Sequence, residues 1–258
     1  MPFEFNQRAR RLLLAAVASR ALVALWIGYD DPRQSLLFSI GSAAFVPGLL
    51  GRFDSFAMVL SVAPELLLCF GLSDYLHRCL QSDGVIVVPR NGSRASWALL
   101  CCARMALLVL TFETASAIAL LLVQLVRSDA WAIPDSKLLL GILICLALDG
   151  LVSFLLALCV NALGAVLDSL AACAAVFGMH VATCLVTSSL PPEVGRAVVP
   201  WLLSTRGVPA RHEEVVELYG YGTGSAPMSS AISVLVLLVA VACELVWIVR
   251  WSRGLDLL

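Results

Sequence analysis

The chain has 258 residues, 60% of them apolar and 14% charged, with a mean hydropathy of +0.94. Water-soluble domains are about 45–50% apolar and about 25% charged, so this composition excludes an ordinary soluble enzyme, a nucleic-acid-binding module and a disordered tail. Seventeen Lys and Arg against eighteen Asp and Glu leave a formal charge of −1. No overall field draws nucleic acid or an acidic partner, and charge acts only locally.

Apolar runs lie at 12–28, 35–51, 55–76, 98–126, 138–161, 165–190 and 229–249. Arg8, Arg10 and Arg11 precede the first, which is read as a retained crossing with its basic flank inside; the run ahead of Ala16-Val17-Ala18 is too short for a secretory signal. The second, 35–51, is short and broken by Gly41, Pro47, Gly48 and Gly51, and joins the next run through Arg52-Phe53-Asp54 alone. Such pieces are re-entrant or interfacial more often than spanning. Charge agrees: the N-terminal flank and the 77–97 connection, with Arg78, Arg90 and Arg94, are the most cation-biased stretches, and both belong inside. An even number of crossings must then separate them.

The expectation is a single all-α transmembrane domain over 1–258. It has six crossings at 12–28, 55–76, 98–126, 138–161, 165–190 and 229–249, and both termini in the cytoplasm. Residues 127–137 and 191–228 become outer connections. The second of these is mixed in charge and carries Pro191-Pro192, Trp201 and Tyr219, as short helices lying at headgroup depth require. Eight of the nine cysteines fall inside apolar runs, with no CxxC pair and no His at zinc spacing. They are read as small hydrophobes in helix packing rather than disulfides or metal ligands.

The sequence contains no GxxxxGK[ST], HExxH or GxSxG motif. The chain is therefore not expected to be an enzyme, and energy for its work comes from a partner or a gradient. What remains is a set of ionisable groups within apolar runs: Arg20, Glu65, Arg104, Glu113, Asp149, His180 and Glu244. A charge at the centre of a crossing costs about 2.5–3.5 kcal/mol on insertion scales, so these groups should face protein or water. Glu113 and Asp149 lie nearest the middle of their runs, and either line a substrate route or form a proton-carrying pair. The plainer alternative is an interhelical hydrogen bond satisfied by Thr111, Thr114, Ser116 or Ser153. His180 joins them as a candidate for the pathway, although a lone His in an apolar helix is more often simply packed. Arg20 is expected to pair with an acid, Glu65 being the candidate. Arg104 can extend toward the cytoplasmic face.

The connection from Asp74 to Trp97 is the most distinctive segment. A β-branched run, Val85-Ile86-Val87-Val88, leads into Pro89-Arg90-Asn91-Gly92-Ser93-Arg94-Ala95-Ser96-Trp97. Pro89 and Asn91-Gly92 predict a tight turn, and Ser93 an N-cap for the helix carrying Arg94 and Trp97. A positive-inside anchor explains the arginines alone; a docking surface for another protein also explains the preceding run.

The order of these features resembles the permease subunits of type 2 ATP-binding-cassette exporters, in particular the small six-span permeases that accompany bacteriocin and lantibiotic export or immunity. Those share a basic N-terminal flank, a large outer segment after the first span, and a second span running into a cytoplasmic R-x-x-S/G-R-x-x-W-like element. Four further spans follow, with a substantial loop before the last. Here Arg90, Ser93, Arg94 and Trp97 match that element. The resemblance implies that residues 74–97 couple to a separate ATPase subunit, that ATP is held on that partner with no cofactor bound directly, and that a second permease chain, identical or related, completes a pathway for a peptide or amphipathic cargo. Two other classes stay open: a proton-coupled carrier using Glu113, Asp149 and His180, and a membrane assembly or scaffold subunit without a transport path.

Overall fold

The computed structural model describes residues 7–26, 55–79, 93–127, 136–208, 211–215 and 228–254. The 35–51 stretch, the Val85–Val88 run, Arg90 and Tyr219 lie outside them. The described residues form an all-α bundle. In chain order the helices are α1 (Gln7–Trp26), α2 (Ser55–Leu72), α3 (Tyr75–Arg78), α4 (Arg94–Arg127), α5 (Ser136–Gly164), α6 (Ser169–Ser189), α7 (Pro192–Val198), α8 (Leu203–Arg206) and α9 (Ser230–Gly254), with a 3-10 turn at Val199–Trp201.

Among the described residues, four helices are long and apolar enough to cross a membrane: α4 over Arg94–Val123, α5 over Leu139–Gly164, α6 over Ser169–Thr187, and α9. At 1.5 Å per residue even the shortest of these stretches reaches on the order of 28 Å, close to the thickness of a hydrocarbon core. In α1 the shorter stretch Leu13–Leu22 is apolar. Leu107, Leu110, Leu143, Leu170, Leu235 and Val239 are exposed on the outside of the bundle, an arrangement suited to lipid and costly in water.

Helix ends follow local chemistry. The apolar run that begins at 165 opens with a turn, and α6 starts only at Ser169, where Asp168 Oδ1 accepts from the backbone N–H groups of Leu170 (3.0 Å) and Ala171 (2.9 Å). It stops at Ser189, ahead of Pro191-Pro192, and Pro192 then opens α7 with its missing N–H at a position that needs none. Between α2 and α3 the chain breaks at Ser73-Asp74, and Asn161 of α5 repairs the break. Its Nδ2 donates to the Leu72 carbonyl at 2.7 Å, and its Oδ1 accepts from the Leu76 N–H at 2.9 Å.

The centre of the bundle is α5, which packs against α2, α4, α6 and α9. Leu155, Leu156, Ala157 and Leu158 are consecutive and all buried, so this part of the helix is enclosed on every side. Around it lie Met105, Phe112, Leu148 and Leu237, and α1 rests against α2 and α4 with Ala16 fully buried. Small residues at such contacts let backbones approach closely, which is how helices associate in lipid. Gly207 follows the same rule at the end of α8: a Cβ there would meet Val152 Cγ2 at 2.6 Å.

The connection between α6 and α9 is folded onto the bundle end opposite α3. Arg206 Nη1 donates to Ser233 Oγ (3.1 Å), its Nη2 to the Pro200 carbonyl, and Arg211 Nη2 to Thr187 Oγ1 (3.1 Å). Glu214 begins α9 by accepting from the Ser230 N–H (2.9 Å) and Ser230 Oγ (2.6 Å). Burial alone would push the Glu214 carboxyl up, but these hydrogen bonds outweigh it and hold the group below its ordinary range.

Two outcomes follow. Replacing Asn161 with Leu strands the Leu72 carbonyl and the Leu76 N–H, and should cost about 1–3 kcal/mol for each, read as a lower thermal unfolding midpoint in detergent. The contribution of Glu214 is present above its unfolded pKa of about 4.3 and is lost as pH falls through its lower folded value. Glu214→Gln should therefore lose stability at neutral pH and flatten the acid limb of the unfolding profile.

Candidate functional site

Near the middle of their helices, five helices bring ionisable side chains together. Arg20 of α1, 4% exposed, is enclosed by Glu65 of α2, Glu113 of α4 and Asp149 of α5. Its Nη1 donates to Glu113 Oε2 at 2.6 Å, and its Nη2 donates to Asp149 Oδ2 and lies 3.8 Å from Glu65 Oε1. The guanidinium stands over the Phe112 ring, 5.0 Å from its centroid. The planar fork of arginine suits this arrangement because each terminal nitrogen can engage a separate carboxylate.

The surrounding contacts complete the geometry. Ser153, one turn beyond Asp149 on α5, donates its Oγ to Glu113 Oε1 at 3.1 Å. The Glu65 and Asp149 carboxyls both face Nη2 of Arg20. His180 of α6 directs Nε2 toward Glu65 Oε2 at 3.9 Å and packs its ring against Phe177 at 5.8 Å. His180 Nδ1 and Ser116 Oγ are buried with no hydrogen-bond partner among the described residues. Three carboxyl groups thus converge on one guanidinium in an apolar interior. Among the described residues no group of His, Cys, Asp and Glu is arranged to hold a metal ion.

The sequence points to Glu65 as the partner of Arg20, but Glu113 and Asp149 make its closest contacts. The two acids expected to line a route or form a proton-carrying pair both engage an arginine from another helix. His180 joins the same cluster through Glu65. Of the hydroxyls expected to satisfy these acids, Ser153 does so. Thr111 and Thr114 face outward and donate to carbonyls of their own helix, at Leu107 (2.7 Å) and Leu110 (2.8 Å). Glu244 stands apart, accepting from Cys159 Sγ at 3.6 Å.

The elbow residues Ser93, Arg94 and Trp97 form a separate group at the start of α4. Ser93 Oγ accepts from the Ser96 N–H at 3.3 Å, capping the helix, and Arg94 is half-buried. Trp97 Nε1 donates to the Cys79 carbonyl at 2.9 Å, which fastens the residues on either side of 80–92 to one another. Arg104 lies over the Trp97 ring at 5.2 Å, and Arg78 pairs with Asp74. Along α4, Trp97 and Glu113 are separated by roughly 24 Å at 1.5 Å per residue. The elbow and the charge cluster are therefore distinct sites on one helix.

The chain matches no protein-family model, no curated protein and no solved structure. Its site is described by its own residues. Those that sequence reasoning does not single out are Arg206 and Arg211, both buried at the far end of the bundle; within a mixed-charge connection they carry no signal that separates them from solvated neighbours.

Removing the cation from an acid cluster leaves buried carboxylates uncompensated. Arg20→Met should therefore destabilise the folded chain by about 3–5 kcal/mol. Arg104→Met, which removes a cation–π contact at the edge of the bundle, should cost about 0.5–1 kcal/mol. Unfolding in detergent, followed by circular dichroism, measures both.

Proposed function

We propose that this chain is the membrane-spanning permease subunit of an ATP-binding-cassette exporter in a bacterial inner membrane. It crosses six times with both termini in the cytoplasm and moves a peptide or amphipathic cargo. A separate ATPase subunit docks on 74–97, and a second permease chain, identical or related, completes the pathway. ATP is bound and hydrolysed on the partner.

Support comes from three sources: the greasy all-α bundle, the match of Arg90, Ser93, Arg94 and Trp97 to the coupling element of such permeases, and the architecture of the elbow. The observation that carries the reading is the Trp97 indole N–H donated to the Cys79 carbonyl. It ties the end of α3 to the start of α4, so a force applied to the residues between them reaches two helices at once. Further along α4 lies Glu113, held by Arg20 of α1. An ATPase that closes on ATP and pushes this elbow acts on a helix connected to the centre of the bundle, as exchange between inward and outward arrangements needs.

A proton-coupled carrier is the second reading, favoured by the acid-rich cluster of Glu65, Glu113, Asp149 and His180 rather than by the elbow. The two separate by mutation. Tagged protein should bring down an ATP-binding subunit from its host, and Arg90→Glu with Arg94→Glu should reduce that recovery at least about tenfold, the effect of about 1.4 kcal/mol. A chain that recovers no ATPase, with transport indifferent to both substitutions, contradicts the exporter reading.

A further inference from the structure

Three acids and one arginine do not balance. Arg20 uses Nη1 on Glu113 and Nη2 on Asp149, and stands 3.8 Å from Glu65. The Glu65 carboxyl stands beside that of Asp149, both facing the same Nη2 of Arg20. An ionised carboxylate only accepts hydrogen bonds, so two neighbouring carboxyls bond to one another only through a proton. Like charges this close do not both ionise in an apolar site; such a pair titrates as a unit. On the other side of Glu65, His180 is 5% exposed, directs Nε2 at Glu65 Oε2, and leaves Nδ1 without a partner among the described residues. Its imidazole can therefore take a proton on one nitrogen and give one up from the other, toward a carboxyl oxygen 3.9 Å away.

We propose that Glu65, Asp149 and His180 form a proton-binding site at the centre of the bundle, with the proton shared between the two carboxyls and exchanged through the imidazole. A proton passes from His180 Nε2 to Glu65 Oε2 and is shared with Asp149, while a hydronium ion gives its proton to Nδ1 and becomes water, so the imidazole stays neutral and one carboxylate becomes an acid. Arg20 keeps one carboxylate ionised and so fixes which acids hold the proton.

The neighbouring groups on each packed helix are accounted for. Cys69 on α2 and Cys184 on α6 lie near Glu65, Cys145 on α5 lies near Asp149, and Arg211 lies near Cys184. Glu113 on α4 is held by Arg20 and Ser153, and Glu244 on α9 is engaged with Cys159. The site does not depend on the permease reading. Loss of ATPase co-purification would leave it intact, and its own failure would leave the elbow intact.

Infrared difference spectroscopy on the full chain in lipid nanodiscs tests it. The expected result is a carbonyl stretch of a protonated carboxylic acid that disappears on raising the pH and shifts in deuterium oxide. Glu65→Gln and Asp149→Asn should each abolish it, because the acid that remains pairs with Arg20 as a carboxylate; if one variant fails to fold, the other decides. Glu113→Gln and Glu244→Gln should retain it. His180→Gln should retain the band and slow its deuterium exchange. A wild-type spectrum without the band, or a band that survives both Glu65→Gln and Asp149→Asn, overturns the proposal. So does a band that sodium chloride removes at constant pH while choline chloride does not, which would mark a metal-cation site. Unchanged exchange in His180→Gln overturns the role given to the imidazole.

Discussion

A guanidinium midway along an apolar helix has no neutral form to retreat to, so the rest of the protein must be arranged around it. Arg20 is in that position. Its helix offers it nothing, and the acids that receive it come from three other helices, at Glu65, Glu113 and Asp149. Burying these groups is expensive, and the expense is recovered only if the helices adopt one rotation and one register relative to one another. The cluster therefore specifies the bundle as much as it stabilises it. Apolar faces pack in many ways, whereas Arg20 meets Glu113 and Asp149 together in one.

The two ends of the bundle are built differently. At one end, Asn161 spans the break between α2 and α3, and Trp97 joins the end of α3 to the start of α4. At the other, short helices fold over the bundle and are fastened by Arg206, Arg211 and Glu214. The first end carries a hydrogen bond that ties two helices together. The second is a cap whose polar groups are turned inward onto Ser233, Thr187 and Ser230. The charge cluster lies between them.

How much of this is legible in the sequence depends on the range of the interaction. The helices are legible because long apolar runs with few charges have one way to satisfy their backbone in lipid. α1, α2, α4, α5, α6 and α9 each fall within or across one of the apolar runs. Local caps are legible too, as with Ser93, which accepts from the N–H three residues on. The start of α6 is less so: hydropathy places it at 165, but Asp168 caps it, and a side chain that ends a turn leaves no trace in an apolar average. Arg20, Glu113, Asp149 and His180 stand out as charges where lipid would be. Their partners do not, because which acid meets Arg20 depends on how four helices rotate against one another, and Glu65 is nearest in sequence without being nearest in space. Arg206 and Arg211 are silent for a further reason: short helices in a polar connection give no periodic signal that marks an inward face.

The account stands on the pairing of Arg20 with Asp149. Its most direct measurement is a double-mutant cycle of Arg20→Met and Asp149→Leu, followed by reversible unfolding in detergent. Each single substitution leaves a buried partner behind, whereas the double removes both. The double variant should accordingly lose less stability than the two singles summed, with an interaction energy of about 1–3 kcal/mol. Losses that add to within about 0.5 kcal/mol would mean that the two residues do not act on each other, and the bundle would then need another explanation for its register.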